Sequence, residues 1–197
     1  LPRTPTSAAP FMFLMVSRLL IDKGVREYIQ AARIVRRQFT SVTFHILGAL
    51  DVHNPACITQ EERDQAIQDG TLTYHPETAE VRPYIHSADC IVLPSYREGI
   101  PKVLLEAGAM SRPTITTDVP GCHDVIRDGY NGFVVPGRDA SALATAMVRM
   151  IEMSQTARLE MARNARHHIV EYFSNEAVFK KYDFTLNTIF QNAGGTL

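Results

Sequence analysis

Short, continuous runs of apolar residues recur along the chain, and stretches with apolar residues at helical spacing separate them. Because these runs are continuous and do not alternate between apolar and polar residues, we expect strands that are buried on both faces, as in a parallel sheet covered by helices. The predicted strands are Phe11–Val16, Val42–Leu47, Leu72–Tyr74, Cys90–Leu93, Thr114–Thr117 and Phe133–Val135. The predicted helices between them are Val25–Gln38, Gln60–Gln68, Ala79–Ser87 and Val103–Met110. This alternation predicts an α/β fold with a right-handed, doubly wound parallel sheet of the Rossmann-like type.

The pattern changes after the last predicted strand, where helical segments follow one another without a strand between them. These segments are Ser141–Met153, Gln155–Tyr172 and Asn175–Gln191. Asp139 and Ser174 stand just before two of them and are typical N-cap residues. The sequence therefore predicts that a helical C-terminal tail closes the α/β domain.

The two ends of the chain differ in composition from the segment between them. Residues 1–10, LPRTPTSAAP, are rich in Pro, Ser and Thr and are predicted to be an interdomain linker. Residues 192–197 are predicted to be a frayed tail. Residues 11–191 then form one domain, which is large enough to bury a core without disulfides or metal. A domain that follows such a linker is expected to be part of a longer protein.

Charge and cysteine usage exclude several classes of function. The chain has 20 Lys and Arg against 21 Asp and Glu, so we expect no nucleic-acid partner. Its three cysteines are widely spaced and form no C-x-x-C pair, which argues against a zinc site or disulfides and favours a reducing cytoplasm. No run approaches the roughly 20 apolar residues that span a bilayer. No metal site is predicted.

The loop after the first strand carries two cations and a glycine. Ligands of open parallel sheets bind outside the carboxyl ends of the strands, so such loops are candidate sites. In SRLLIDKG, Arg18, Lys23 and Gly24 lie directly before a helix, which is typical of a diphosphate site. The alternative is a pair of solvated loop charges. The absence of a G-x-G-x-x-G motif argues against a dinucleotide oxidoreductase.

The loop after the fourth strand, in PSYREGIPKVLLEA, contains a glutamate and a helix start. Pro101 suits a first helical turn, so we expect the helix to begin near Ile100 or Pro101 and to leave Glu98 in the loop. The amides of Gly99, Ile100 and Lys102 would then meet a phosphate or sugar oxygen. The alternative is that Glu98 is merely exposed.

A second glutamate, Glu106, lies more than one turn into the same predicted helix, among apolar residues. A carboxylate there is costly unless it accepts hydrogen bonds, and the vicinal hydroxyls of a ribose would supply two donors. The alternative is that Glu106 pairs with a nearby Arg or caps a backbone group. In a third loop, TDVPGCHDVI, we interpret His123 and Asp124 as a surface turn with a helix-capping Asp rather than as ligand contacts.

Taken together and in this order, SRLLIDKG, YREGIPKVLLEA and TTDVPGCHDVIRDGYNGFVVP resemble the C-terminal half of retaining glycosyltransferases of family 4. These enzymes have the two-domain GT-B fold. The most specific element of the resemblance is the E-x7-E motif from Glu98 to Glu106. It implies that Arg18 and Lys23 hold the donor diphosphate. It also implies that Glu98, with the two amides that follow it, faces the donor sugar and that Glu106 binds the ribose hydroxyls.

The resemblance also implies further donor contacts. After the third strand, where many members have an aliphatic residue and Gly, this chain has His75 and Pro76. We assign Tyr74 and His75 to donor binding at this base-reading position. The remaining donor-binding assignments border the two loops: Gly24, Gly99, Ile100, Pro101 and Lys102. Neither a metal ion nor a cofactor is implied, because cations and helix-terminal amides stabilise the charge on the departing nucleoside diphosphate.

Within the family, the chain most resembles enzymes that extend polyprenyl-diphosphate-linked glycans for bacterial O-antigen, capsule or glycoprotein. The resemblance implies a UDP-sugar donor, with N-acetylgalactosamine transferred in an α-1,3 linkage. It places the acceptor site in an N-terminal domain that this chain lacks, so the isolated chain is expected to bind donor but to transfer nothing. The full-length protein is expected in the cytoplasm, in peripheral contact with the inner face of the bacterial inner membrane. A noncatalytic UDP-sugar-binding module and a GT-B-like UDP-N-acetylhexosamine epimerase are the alternatives.

Overall fold

The computed structural model describes residues 9–193, with side chains described as far as residue 190. Its strands are β1 Phe11–Val16, β2 Val42–Leu47, β3 Thr73–His75, β4 Cys90–Leu93, β5 Thr114–Thr117 and β6 Gly132–Val135. They form one parallel sheet in the spatial order β3-β2-β1-β4-β5-β6. The strand order reverses between β1 and β4, which is where doubly wound sheets bind their ligands.

Helices cover both faces of the sheet. They are α1 Val25–Arg36, α2 Gln60–Gln68, α3 Arg82–Ser87, α4 Lys102–Ala109, α5 Cys122–Val125, α6 Ala140–Glu152, α7 Gln155–Phe173 and α8 Asn175–Ala193. A 3-10 turn at Ile21–Lys23 precedes α1. α1 and α6 share one hydrophobic core with the sheet, whereas α3 and α4 share another on the opposite face. The predicted doubly wound α/β fold with a helical C-terminal tail is confirmed.

The side chains of β1 show why its apolar run is continuous. Phe13 and Met15 lie in the core under α1 and α6, and Leu14 lies in the core under α3 and α4. All three are at most 1% exposed. Each such burial stabilises the fold by about 1.5–3 kcal/mol, so alternate apolar and polar positions would be costly in this strand.

The predicted start of α3 at Ala79 is wrong, because a proline lies in the first turn. The helix begins at Arg82, directly before Pro83. In a longer helix, the ring of Pro83 would collide with the carbonyl of the residue four positions earlier, which is Ala79. A helix is therefore compatible with Pro83 only where it starts close to that residue.

Two further elements, β3 and α4, are shifted by one residue from their predicted positions, and the structure shows why. β3 is shifted from the predicted Leu72–Tyr74, because the amide of Leu72 donates to the carbonyl of Ala66 at the end of α2 instead of joining the sheet. α4 begins at Lys102, because Pro101 is its N-cap with ψ of 119°, not a first-turn residue. The other predicted boundaries agree with the structure to within two residues.

The helical tail begins at capped helix ends. Asp139 caps α6 by accepting the amide of Ala142, and the hydroxyl of Ser174 accepts the amide of Ala177 at the start of α8, as predicted. α8 continues to Ala193, so the tail predicted from residue 192 is helical where it starts. Residues 194–197, and residues 1–8 of the predicted linker, lie outside the described residues. Within residues 9–193, no helix combines the length and the hydropathy that a bilayer crossing requires.

Candidate functional site

Two loops at the reversal point of the sheet are held against each other by their backbones. They join β1 to α1 and β4 to α4. The carbonyl of Asp22 accepts the amide of Tyr96 at 2.8 Å and the hydroxyl of Ser95 at 3.2 Å. Gly24 has φ of 75°, and a Cβ added to it would stand 2.0 Å from the carbonyl oxygen of Pro94. Only glycine fits at this position, because the second loop occupies the space of a side chain.

A third loop, between β5 and α5, joins this contact. Gly121 has φ of 81°, and a Cβ added there would stand 1.3 Å from the carbonyl oxygen of Gly99. Asp124 accepts the amide of Gly121 at 2.9 Å, which confirms the predicted helix-capping role. The ring of His123 lies 2.8 Å from Asp118, on an exposed part of the turn. Three loops at the carboxyl edge of the sheet thus form one interlocked cluster.

Lys23 and Glu98, which lie 75 residues apart in sequence, form an ion pair across two of these loops. The ammonium of Lys23 donates to Oε1 of Glu98 at 2.7 Å. Their side chains are only 19% and 13% exposed, so water screens the pair less than it screens surface charges. Lys23 is therefore not a solvated loop charge, and Glu98 is not merely exposed, as the alternative interpretations had it. An ammonium has three N–H donors, so Lys23 keeps two for a further acceptor.

No interaction of the described residues joins Arg18 or Glu106 to the pair of Lys23 and Glu98. Arg18 is exposed after β1, and Glu106 is half-buried on α4. Neither side chain makes a hydrogen bond or an ion pair to any residue that the structure describes. The alternative for Glu106, an Arg partner or a backbone cap, is therefore absent from the described part of the chain. Both carboxylate oxygens of Glu106 can therefore accept hydrogen bonds from a ligand.

The loop between Glu98 and α4 leaves backbone donors unused. The amides of Gly99 and Ile100 donate to no acceptor among the described residues, and Ile100 is 58% exposed. A Cβ added to Gly99 would meet nothing within 4 Å, so the space above this loop is open. Pro101 is buried and Lys102 is exposed at the first position of α4. The loop can therefore present two amides to an oxygen-rich ligand without losing a bond of its own.

Tyr74 and His75 lie at the carboxyl end of β3, but their side chains are engaged within the protein. The hydroxyl of Tyr74 donates to the carbonyl of Gly48 at 3.0 Å. The ring of His75 stacks on that of His45, with Nε2 of His75 2.9 Å from Nδ1 of His45. No contact joins either residue to the pair of Lys23 and Glu98 among the interactions of the described residues. Their role in donor binding stays a prediction.

The histidine pair makes the stability of the domain depend on pH. Burial, and secondarily the charge of His75, lower the pKa of His45 from 6.5 to about 4, and burial also lowers the pKa of His75. The unfolded chain therefore binds protons more readily at these sites. Stability should be full above pH 6.5 and should fall as the pH decreases toward 4. The loss from His45 is about 2–3 kcal/mol.

Urea unfolding at several pH values measures this effect. We expect His45→Gln to flatten the fall in unfolding free energy between pH 6.5 and 4. The matched control is His53→Gln, because His53 is exposed and its substitution should leave the slope unchanged. Equal slopes in His45→Gln and the unmodified chain would contradict the expectation.

Sequence reasoning missed Tyr96 and Glu27, which brace the cluster. The hydroxyl of Tyr96 donates to Oε1 of Glu27 at 2.6 Å, and the guanidinium of Arg138 lies 4.7 Å from the centre of the Tyr96 ring. The one signal in the sequence was that both residues lie near the candidate loops: Tyr96 is two residues before Glu98, and Glu27 is in the first turn of α1. Neither position has a periodicity that predicts a contact.

Comparison with known proteins agrees with the geometry. A family model described as Glycosyl transferases group 1 matches residues 10–153. A curated relative, the N,N'-diacetylbacillosaminyl-diphospho-undecaprenol alpha-1,3-N-acetylgalactosaminyltransferase of Campylobacter jejuni, is 28% identical over 179 residues. That match covers 89% of this chain and 45% of the relative. The chain thus spans about half the length of the relatives that it matches.

Solved structures show the same fold. A glycosyltransferase from Rickettsia africae superposes with a TM-score of 0.79 at 21% identity, covering 95% of this chain and 49% of that one. HepE from Anabaena, solved in complex with UDP, superposes with a TM-score of 0.77 at 20% identity, covering 92% of this chain and 50% of that one. Since the family model covers most of the sequence and the fold agrees, this chain belongs to the glycosyl transferases group 1.

Proposed function

We propose that this chain is the donor-binding half of a retaining, GT-B glycosyltransferase of family 4. In this proposal, the full-length enzyme transfers N-acetylgalactosamine from a UDP-sugar, in an α-1,3 linkage, to a polyprenyl-diphosphate-linked glycan for a bacterial surface polysaccharide such as O-antigen. The choice of N-acetylgalactosamine and of the α-1,3 linkage is supported by the name of the Campylobacter relative. The acceptor site and the contact with the inner face of the membrane belong to the full-length cytoplasmic protein.

The ion pair of Lys23 and Glu98 is the observation that supports this function most. It joins a cation that suits a diphosphate to a carboxylate that suits sugar hydroxyls, at the reversal point of a doubly wound sheet. The unused amides of Gly99 and Ile100 lie in the same loop and suit the oxygens of a phosphate or a sugar.

Each group has a distinct task in the proposed reaction. Lys23 and Arg18 bind the diphosphate and stabilise the negative charge that develops on UDP as the bond from the anomeric carbon to oxygen breaks. Glu98 and the loop amides orient the donor sugar. Glu106 accepts the ribose hydroxyls. The acceptor attacks the same face of the sugar, and the departing phosphate takes its proton, so the transfer requires neither metal nor cofactor.

Calorimetric titration of the chain with UDP, GDP and ADP tests the nucleotide. We expect UDP to bind about tenfold more tightly than GDP or ADP, because a site built for one base leaves polar groups unpaired with another. Uridine, which lacks the diphosphate, is the control and should bind weakly. Absence of binding by all three nucleotides would reject the donor site, and a preference for GDP or ADP would reject the UDP assignment.

Activity assays on the isolated chain and on the full-length protein separate the proposed enzyme from its alternatives. Incubated with UDP-N-acetylgalactosamine and a polyprenyl-diphosphate-linked sugar, the isolated chain should form no product, because the proposal places the acceptor site outside it. Transfer by the isolated chain would contradict the placement of the acceptor site outside this chain. Epimerised sugar nucleotide, formed by the full-length protein without acceptor, would favour the epimerase. A full-length protein that binds UDP but neither transfers nor epimerises would favour a noncatalytic module.

A further inference from the structure

The loop that carries Glu98 has no regular structure to hold its shape. Its backbone is tied at its start, where the amide of Tyr96 donates to the carbonyl of Asp22. The hydroxyl of Thr117 donates to the carbonyl of Ser95, whose own hydroxyl lies 3.2 Å from the carbonyl of Arg97. Beyond that point, Glu98 is held by Lys23, and the next residues, Gly99 and Ile100, are exposed. The first half of this loop therefore shares with the contact of Gly99 and Gly121 the task of directing the Glu98 carboxylate and the amides that follow it.

The side chain of Tyr96 is anchored more firmly than a surface tyrosine. Its hydroxyl donates to Glu27 at 2.6 Å, a length typical of a bond to a charged acceptor. Burial and the bond to Glu27 raise the pKa of Tyr96 to about 12, so the hydroxyl stays a donor at neutral pH. The guanidinium of Arg138 covers its ring, and Arg138 adopts φ of 60°, which is uncommon for a non-glycine residue.

Among the described residues, the carboxylate of Glu27 accepts one hydrogen bond, the one from Tyr96. Its Oε2 is buried without a hydrogen-bond partner among the described residues, and its Oε1 is the acceptor for Tyr96. Burying a carboxylate with one oxygen unsatisfied costs free energy, which the bond to Tyr96 offsets only in part. Neither Tyr96 nor Glu27 is among the residues assigned above to donor contact. The hydrogen bond between them therefore needs a role other than direct binding of the ligand.

We propose that Tyr96 is a positioning residue, which holds the Glu98 loop in the geometry that recognises the donor sugar, through Glu27 of α1 and Arg138 after β6. This inference rests on the proposed function and extends it to residues that do not touch the ligand. The diphosphate binds chiefly through Lys23 and Arg18, which precede α1. Loss of the anchor should therefore weaken recognition of the sugar more than recognition of UDP.

Calorimetry on the chain with two ligands tests this division. For Tyr96→Phe, we expect the affinity for UDP-N-acetylgalactosamine to fall about tenfold, while that for UDP changes less than about twofold. Glu27→Leu, which removes the acceptor for the Tyr96 hydroxyl, should give the same selective loss. The double variant should lose no more than either single variant, because both substitutions remove one hydrogen bond. In the full-length enzyme, Tyr96→Phe should lower the kcat for transfer.

A matched control separates positioning from stability. Tyr28 lies next to Glu27 on α1. Tyr28→Phe removes a hydroxyl that lies 3.1 Å from the carbonyls of Phe13 and His45, remote from the Glu98 loop. It should lower the unfolding free energy at least as much as Tyr96→Phe, yet leave both affinities unchanged. Equal losses for UDP and the UDP-sugar in Tyr96→Phe, no loss for either, or the same selectivity in Tyr28→Phe would overturn the inference. Failure of the unmodified chain to bind UDP is a different result, which would reject the proposed function itself.

Discussion

Replacing Lys23 with Met should lower the affinity for UDP about a hundredfold and leave the affinity for uridine nearly unchanged. A hydrogen bond to a charged group contributes about 1.5–3 kcal/mol, which corresponds to a factor of about 10–100 in affinity, and the direct charge attraction places Lys23 at the upper end. The effect is specific to the diphosphate, because uridine carries no charge for the ammonium. Calorimetric titration with UDP and uridine measures both values, and Lys23→Arg should recover part of the loss.

The same substitution also affects stability, which has to be measured separately. The side chain of Glu98 is only 13% exposed beside Lys23, and the substitution leaves its carboxylate without that partner, so we expect the unfolding free energy to fall by about 1–3 kcal/mol. Lys180→Met, at an exposed position of α8, is the matched control and should change neither property. An unchanged UDP affinity in folded Lys23→Met would contradict the diphosphate assignment, whatever happens to stability.

The strands were predictable wherever burial on two faces makes an apolar run continuous. Phe11–Val16 has that pattern, and the structure places its ends at the predicted residues. β3 has only three residues, of which Thr73 is exposed, so the pattern there was too short to fix the boundary. The misplaced start of α3 had a visible cause, since Pro83 excludes a helix that reaches back to Ala79.

The meeting of Lys23 and Glu98 was predictable from topology alone. Parallel strands present their carboxyl ends at one edge, and β1 and β4 are neighbours at the reversal point, so residues in the loops after them must lie close together. The path of those loops was not predictable. The contact of Gly121 with Gly99 depends on backbone positions that follow no period, and the hydrogen bond from Tyr96 to Glu27 depends on side-chain directions that local sequence does not encode.

Replacing Glu106 with Gln should weaken UDP binding and leave the stability of the fold unchanged. The carboxylate is half-buried on α4, and no described residue pairs with it, so the substitution removes no hydrogen bond or ion pair of the folded chain. With UDP bound, the two ribose hydroxyls would donate to it, and hydrogen bonds to a charged group contribute about 1.5–3 kcal/mol. We therefore expect a loss of UDP affinity of about 10–100-fold.

A double-mutant cycle on both protein and ligand tests whether this loss comes from the ribose. The unmodified chain and Glu106→Gln are each titrated with UDP and with 2′-deoxy-UDP, which lacks one of the two hydroxyls. Because the deoxy nucleotide has already lost one donor, Glu106→Gln should weaken its binding less than it weakens the binding of UDP. Glu160→Gln, at an exposed position of α7, is the matched control and should bind both nucleotides as the unmodified chain does. Equal losses for the two nucleotides would place the carboxylate away from the ribose, and a fall in unfolding free energy would show that Glu106 has a structural partner instead.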